Sequence, residues 1–259
     1  MPRDSALSGA FMTSAAMAIV AVSVLGTSFL SGIFGMAGGL ILLGVLLLFM
    51  DVVPAMVLFG TIQMAANGWR AMLWRAHVQW NIVGRYIVGA TAAFFVMRLV
   101  AFIPDKALLY IGLGLIPFAA DALPARYQPD ITRPSGPYVC GVVIMVLQLI
   151  AGAAGHILDM FFQKSGLDRR GIVGTKAVCQ TIAHLFRVLY FGSLASAFTI
   201  DIPVWAYAAA IALAFTGTTL ASYVLESMTD ANFRAWARRI LLIVSGSFLA
   251  RGLWLLWVG

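Results

Sequence analysis

Long apolar runs alternate with short polar segments along almost the whole chain. Eight of the runs are long enough to cross a bilayer, since a transmembrane helix needs about 20 mainly apolar residues. Two shorter apolar segments follow glycine-rich stretches and do not reach that length. The long runs lie at residues 11–34, 53–73, 81–103, 106–122, 137–155, 172–193, 202–223 and 235–257, and the short segments at 36–50 and 156–163. The pattern predicts an all-α integral membrane protein.

Composition supports this prediction. The 259-residue chain is 62% hydrophobic and only 10% charged, whereas soluble domains are about a quarter charged. Because no segment is long enough to fold as a separate soluble domain, we expect a single membrane domain over residues 1–259. The apolar region that begins near Ala10 is too long for a signal peptide and follows a nearly neutral flank. We interpret it as the first span.

The net charge of +7 does not indicate a nucleic-acid partner. The basic residues lie in short clusters between apolar runs, as expected for the cytoplasmic loops of a protein in a lipid bilayer. Cys140 and Cys179 lie within apolar runs without CxxC spacing, so we expect two small buried residues rather than a redox pair or a metal site. No cofactor is indicated.

The two short segments occupy matching places in two halves of the chain. The halves cover about residues 11–122 and 137–257, and the linker at 123–136 is rich in proline. Within them, SGIFG at 31–35 matches AGAAG at 151–155, and Gly-Thr at 60–61 matches Gly-Thr at 174–175, with each Gly-Thr expected to open a helix. The spacings are 120 and 114 residues, which indicates a weak internal repeat.

Loop charges favour opposite orientations of the two halves. The segment from Arg70 to Trp80 carries Arg70, Arg75 and His77, whereas the corresponding segment at 193–201 carries no basic residue. Placing all basic clusters in the cytoplasm requires the short segments to cross as well. This gives an inverted repeat of two five-segment halves, with both termini outside. The alternative has eight passes, with the short segments dipping in and out on one side.

Helices interrupted at equivalent positions of an inverted repeat are typical of secondary transporters, whose site lies near the midplane. The N-terminal ends of broken helices present free N–H groups and positive dipole ends, which suit an anion. The glycines could instead serve close helix packing. The candidate residues in the breaks are Gly35, Gly38, Gly39 and Gly155.

Polar side chains also follow one face of a predicted helix in each half. Such residues are costly within a membrane and usually face the protein interior. Their amide and cationic groups could hold a small oxyanion by charge-assisted hydrogen bonds. We expect Arg70 and Arg187 to extend toward the interfaces instead, and Lys176 is open to the same interpretation. The faces comprise Gln63, Asn67 and Arg70 in the first half, and Lys176, Gln180, His184 and Arg187 in the second.

Asp159 and His156 lie three residues apart on the second short segment. An acid and an imidazole in a membrane can carry a proton that is coupled to transport, and His184 is a further candidate for this role. Asp159 could instead pair with Lys176 or cap a half-helix. Both interpretations stay open at the level of the sequence.

The sequence resembles the TauE/SafE family of sulfite and organosulfonate exporters over nearly its whole length. The matching stretches are LSGIFGMAGGLILLGVLLLF, VLFGTIQMAANGWRAMLWRAHVQW and AGAAGHILDMFFQKSGLDRRGIVGTKAVCQTIAHLFRVLYFG. The resemblance implies proton-driven export of small sulfur-containing anions, such as sulfite or sulfonates, across the cell inner membrane. The sequence departs from the family pattern at residues 36–37, 42–44 and 153–154.

Three other classes of protein are alternatives to a transporter. An anion channel would share the basic lining but would need no proton carrier. An intramembrane enzyme is disfavoured because the chain has no HExxH, DDxxD or GxSxG motif. A structural protein would not need polar faces in both halves. The oligomeric state, a homodimer included, is left open.

Overall fold

The protein is an assembly of packed helices, seen here in a computed structural model that describes residues 14–34, 37–152, 154–194, 203–227 and 230–258. These residues form ten α-helices, two short 3-10 turns and no β-strand, which confirms the predicted all-α class. The helices are α1 (Ser14–Phe34), α2 (Ala37–Phe49), α3 (Val52–Leu73), α4 (Trp80–Val100), α5 (Lys106–Ala122), α6 (Gly136–Ala151), α7 (Gly155–Phe162), α8 (Arg169–Leu194), α9 (Val204–Ser227) and α10 (Asp230–Val258).

Helix length separates the predicted spans into two groups. Within the described ranges, six helices are long and apolar enough to cross a membrane, namely α1, α3, α4, α8, α9 and α10. The helix α5 contains 17 residues and coincides with the apolar run at 106–122, whereas α6 contains 16 residues and is shorter than the run at 137–155. The run at 137–155 ends as a helix at Ala151 because Gly152 adopts the left-handed conformation, with φ +79°.

Helix interruptions occur where the sequence predicted them. The helix α1 ends at Phe34 and α2 begins at Ala37, whereas Gly35 lies outside the described residues. In the second half, α6 ends at Ala151 and α7 begins at Gly155. Each half therefore contains a short helix, α2 or α7, that begins within four positions of the last residue of the preceding helix.

The helices pack in a pattern that is unchanged when the two halves are exchanged. The most extensive pairings are α3 with α8, α5 with α10, α1 with α9, and α4 with α6. Exchanging α1–α5 with α6–α10 maps this set of pairs onto itself. The central pair is antiparallel, since Gly60 near the middle of α3 lies beside Val188, and Trp74 at its end lies beside Gly174. The inverted repeat in the membrane stays a prediction.

Glycines allow two of these helices to approach closely. Gly89 of α4 faces the backbone of Tyr138, and Gly141 of α6 faces the backbone of Tyr86. In both cases an added methyl group would meet main-chain atoms of the partner helix. Small residues of this kind let membrane helices pack at short distance, where dispersion contacts are strongest.

Two of the predicted basic clusters lie together. The 3-10 turn Arg75–His77 precedes α4, and the backbone N–H of Gln79, two residues after the turn, donates to Thr175 Oγ1 of α8 at 2.9 Å. The guanidinium of Arg170 lies 6.0 Å from the ring centre of Trp74. The charged turn and the start of α8 are thus on the same side of the protein, as the loop charges predicted. Residues 195–202 lie outside the described part of the chain.

Candidate functional site

A cavity lies where helices from both halves meet. The space open to the centre of a water molecule is about 40 Å³. Its polar lining comes from Gln63 of α3, Gln148 of α6, His156 of α7, and Gln180 and His184 of α8. Its apolar lining includes Leu40, Phe59, Leu113, Ile116, Pro117, Ile144 and Leu158. Six helices, α2, α3, α5, α6, α7 and α8, therefore contribute to one partly polar chamber.

Most of the residues predicted to bind substrate line this cavity. The predicted residues in the lining are Gly39, Gln63, Gly155, His156, Gln180 and His184. Three others, Gly38, Asn67 and Lys176, are outside the lining. Gly35 lies outside the described residues. The structure thus brings together the starts of both short helices and one polar face from each of α3 and α8.

The start of α2 is held tightly between α1 and α3. A methyl group added at Gly39 would lie 2.6 Å from Gln63 Nε2, so the side-chain amide of Gln63 rests against the backbone there. A methyl group at Gly38 would lie 2.7 Å from the backbone nitrogen of Ser31 in α1. Gly38 is therefore needed for close helix packing, and Gly39 for the placement of the Gln63 amide.

The start of α7 presents backbone donors that have no acceptor within the helix. No side chain caps this helix, whose preceding residue is Ala154. The first intrahelical bond runs from the Leu158 N–H to the Ala154 carbonyl at 3.0 Å. The N–H groups of residues 155–157 precede this bond and have no acceptor within α7. Gly155 and His156 line the cavity, so this uncapped end is placed where a ligand could use it.

Three side chains in the lining have a buried polar atom without a hydrogen-bond partner among the described residues. The atoms are Gln148 Nε2, His156 Nδ1 and His184 Nδ1. The His184 ring packs edge-on against Phe59, with 5.5 Å between ring centres and 85° between planes. Leaving a buried polar group unpaired costs about 1–3 kcal/mol. A polar ligand in the cavity would remove this cost.

Arg187 is completely buried, so the expectation that it extends to the interface is wrong. Its Nη2 donates to the carbonyl of Gln148 at 2.9 Å and to the carbonyl of Gly152. Its guanidinium lies 4.8 Å from the ring centre of Phe59. The reason is local: α6 ends at Ala151, and its last carbonyl groups need donors that the helix itself does not supply.

Arg70 makes the corresponding contact in the first half. Its Nη2 donates to the carbonyl of Ser31 in the last turn of α1 at 3.0 Å, and its Nη1 donates to Asn67 Oδ1 at 3.2 Å. The Asn67 amide in turn donates to the Gln63 carbonyl at 2.8 Å. Asn67 therefore supports Arg70 rather than facing the cavity, and the side chain of Arg70 is directed at α1.

These contacts show which residues of the two halves are equivalent. Arg70 and Arg187 are 117 residues apart, as are their acceptors Ser31 and Gln148. Gln63 and Gln180, which both line the cavity, have the same separation. The spacings of 120 and 114 taken from glycine matches do not describe this relationship. The expectation that each Gly-Thr opens a helix is wrong, since Gly60 lies within α3 and Gly174 within α8.

Asp159 forms an ion pair with Lys176. This is one of the two interpretations that the sequence left open, and it places the acid of α7 against the base of α8. His156 Nε2 lies 3.1 Å from Asp121 Oδ1 at the end of α5 and not beside Asp159. The two titratable residues of α7 thus connect this short helix to two different neighbours.

Sequence reasoning missed Gln148, Asp121 and the contact role of Arg187. Gln148 is a single amide in an otherwise apolar run, which is a detectable signal in a membrane segment. Asp121 stands at the end of an apolar run beside the linker, where an acid is ordinary. The position of Arg187 along α8 does not show that a second helix terminates beside it.

A polar chamber between two sets of membrane helices is a feature that membrane transporters share. The family model described as sulfite exporter TauE/SafE matches residues 19–248. The chain belongs to this family, which confirms the resemblance found in the sequence. Because the family is one of transporters, the expectation that the protein is not an enzyme is also confirmed. No curated protein and no solved structure matches the chain.

Proposed function

We propose that the protein exports small sulfur-containing anions, such as sulfite or an organosulfonate, across the cell inner membrane, and that the cavity binds the anion. The family description supports the substrate class and the direction. One observation carries the site: glutamines at equivalent positions of α3 and α8 line a single cavity together with the uncapped start of α7.

The donors around the cavity match the acceptors of a sulfur oxyanion. Sulfite and sulfonates present three oxygen atoms around sulfur, and the amides of Gln63 and Gln180, the His184 ring and the N–H groups at the start of α7 can donate to them. Hydrogen bonds to a charged group contribute about 1.5–3 kcal/mol each. Three or four such bonds would replace the water around a small anion.

Size and polarity are consistent with a compact substrate. A space of about 40 Å³ for water centres corresponds to about three water-sized positions. The wall formed by Leu113, Ile116 and Ile144 is apolar. It offers a surface for the carbon part of a sulfonate, whereas the polar groups lie on α3, α6, α7 and α8.

In the proposed transport cycle, each half of the chain forms one side of the binding site. The antiparallel packing of α3 against α8 supports an inverted repeat, because equivalent helices of such a repeat run in opposite directions. We place the cavity near the membrane midplane, where relative movement of the halves would open it to one side at a time.

Asp159 is the proposed coupling group. Protonation of Asp159 removes a negative charge beside Lys176, and Lys176 lies one helical turn from Gln180. The charge state of this pair therefore changes the potential felt by an anion in the cavity. His184, which lines the cavity, is the second proposed coupling group.

A flux screen in proteoliposomes tests the substrate class. Purified protein is reconstituted, and uptake of labelled sulfite, a sulfonate, thiosulfate and a carboxylate is compared with that of protein-free liposomes. We expect saturable flux of at least one sulfur anion and weaker flux of the carboxylate. Flux of none of the sulfur anions would overturn the proposed substrate class.

A further inference from the structure

The two broken helices end at buried or half-buried arginines that no carboxylate in the described ranges neutralises. We propose that Arg187 and Arg70 neutralise the carbonyl ends of α6 and α1 and thereby give the cavity its preference for anions. This inference rests on the proposed function, because it concerns the same cavity. The two arginines bind the helix ends rather than the anion itself, so we call them positioning residues.

An interrupted helix does not by itself favour an anion. The end of one helix carries about half a negative charge and the start of the next about half a positive charge. Ala151, the last residue of α6, and Gly155, the first of α7, are only four positions apart. Their opposite end charges therefore largely cancel at the cavity unless something neutralises the carbonyl end.

Arg187 meets this requirement for α6. Its Nη2 binds the carbonyls of Gln148, in the last turn of α6, and of Gly152, the residue that follows the helix. Its Nε and Nη1 have no hydrogen-bond partner among the described residues. Two lysines differ from Arg187 in this respect, since Lys176 pairs with Asp159 and Lys106 with Asp51. The full positive charge of the Arg187 guanidinium thus exceeds the negative charge of about one half at the carbonyl end of α6.

Arg70 repeats the arrangement at the end of α1. Its Nη2 binds the Ser31 carbonyl, and Ser31 precedes Gln148 by the same 117 residues that separate the two arginines. The contact is therefore present twice, on equivalent helices and at equivalent acceptors. A purely local accident of packing would not be expected at both places.

The guanidinium of Arg187 lies directly behind residues that line the cavity. The guanidinium does not line the cavity, but it stacks on Phe59, binds the backbone of Gln148 and follows His184 by one helical turn, and these three residues do line it. Gln148 Nε2 and His184 Nδ1 lack partners among the described residues. The unpaired Gln148 amide is a donor, and together with a cation that no described carboxylate neutralises it indicates a ligand that is negatively charged.

The test measures the electrostatic potential of the cavity without any substrate. Gln180 is replaced by cysteine in a chain that carries Cys140→Ala and Cys179→Ala, and the rates of alkylation by iodoacetate and iodoacetamide are determined by mass spectrometry. The two reagents are nearly equal in size and differ in charge. We expect Arg187→Gln to lower the ratio of the iodoacetate rate to the iodoacetamide rate about tenfold, and Arg187→Lys to retain most of it.

The ratio of the iodoacetate rate to the iodoacetamide rate distinguishes an electrostatic effect of Arg187 from a structural one. If Arg187 served only to hold the fold, both rates would change by the same factor, and an unchanged ratio would overturn the proposal. Arg70→Gln provides the same comparison at a less buried position should Arg187→Gln fail to fold, and an unchanged ratio there would likewise overturn it. A lowered ratio in a protein that transports no sulfur anion would support the arginine proposal while the proposed substrate class fails.

Discussion

The side-chain amide of Gln63 lies against the backbone of Gly39, so closely that a methyl group at position 39 would come within 2.6 Å of Gln63 Nε2. This contact joins the start of α2 to the polar face of α3 at the edge of the cavity. It explains why a glycine follows the interruption. It also shows that the orientation of one proposed substrate ligand depends on the absence of a side chain elsewhere.

We expect Gly39→Ala to leave the protein folded while weakening transport. The amide of Gln63 is the end of a flexible side chain and can move away, but it then leaves its place in the cavity lining. The KM for the transported anion should rise several-fold, as measured by initial rates in proteoliposomes. Gly84→Ala is the matched control, because an added methyl group there has no neighbour within 4 Å. Equal transport by both variants would contradict the assigned role of Gln63.

Gly152→Ala tests the helix end on which Arg187 acts. A residue with a side chain is strained by about 1–2 kcal/mol in the left-handed conformation of Gly152. The added methyl group would also lie 2.6 Å from Leu43 Cδ2, and such overpacking costs about 1–3 kcal/mol. Gly166, at φ +64°, has no neighbour within 4 Å and isolates the first cost. In thermal unfolding in detergent, Gly152→Ala should therefore lower the midpoint more than Gly166→Ala, and equal shifts would argue against tight packing at the interruption.

Replacing Asp159, which pairs with Lys176, distinguishes a proton-coupled carrier from a channel. Asp159→Asn leaves a cation without its partner, which should cost roughly 2 kcal/mol, less than the cost of breaking a fully buried pair. Lys176→Met in the same chain should restore part of that stability. Coupled transport by Asp159→Asn should lose its response to a pH gradient while downhill flux persists.

Measurements with and without a pH gradient, at a fixed membrane potential, check this expectation. The outcome that favours a channel is flux in the unaltered protein that follows voltage alone and is the same after Asp159→Asn. The double variant serves as the control for stability, since it removes the unpaired charge without restoring the carboxylate.

Much of the fold could be predicted because the membrane imposes simple rules. An apolar run must be helical, and a helix must be long enough to cross, so the order of the helices follows from hydropathy and the positions of the interruptions follow from glycine. The polar faces of α3 and α8 are visible in the sequence because their residues recur with helical spacing. This spacing alone predicts Gln63, Gln180 and His184 as members of the candidate site, and all three line the cavity.

The remainder depends on contacts between distant segments. Arg187 lies near one end of its helix, and hydropathy alone favours an interfacial position for such a residue. Only the location of the α6 terminus beside it explains its burial. Asn67 shares a helical face with Gln63, yet its amide is used by Arg70 and the Gln63 carbonyl rather than by the cavity. Helical spacing identifies a face but not which neighbour each residue on that face meets.

The most direct test of the account is the concentration dependence of sulfite uptake by the unaltered protein and by the Gln63→Ala and Gln180→Ala variants. Both glutamines line the cavity from equivalent positions, and loss of a hydrogen bond to a charged ligand costs about 1.5–3 kcal/mol. We predict saturable uptake whose KM rises about 10-fold or more in either variant, with Gln163→Ala, an exposed glutamine, behaving as the unaltered protein. Saturable uptake with the same KM in all four proteins would contradict the claim that this cavity is the transport site.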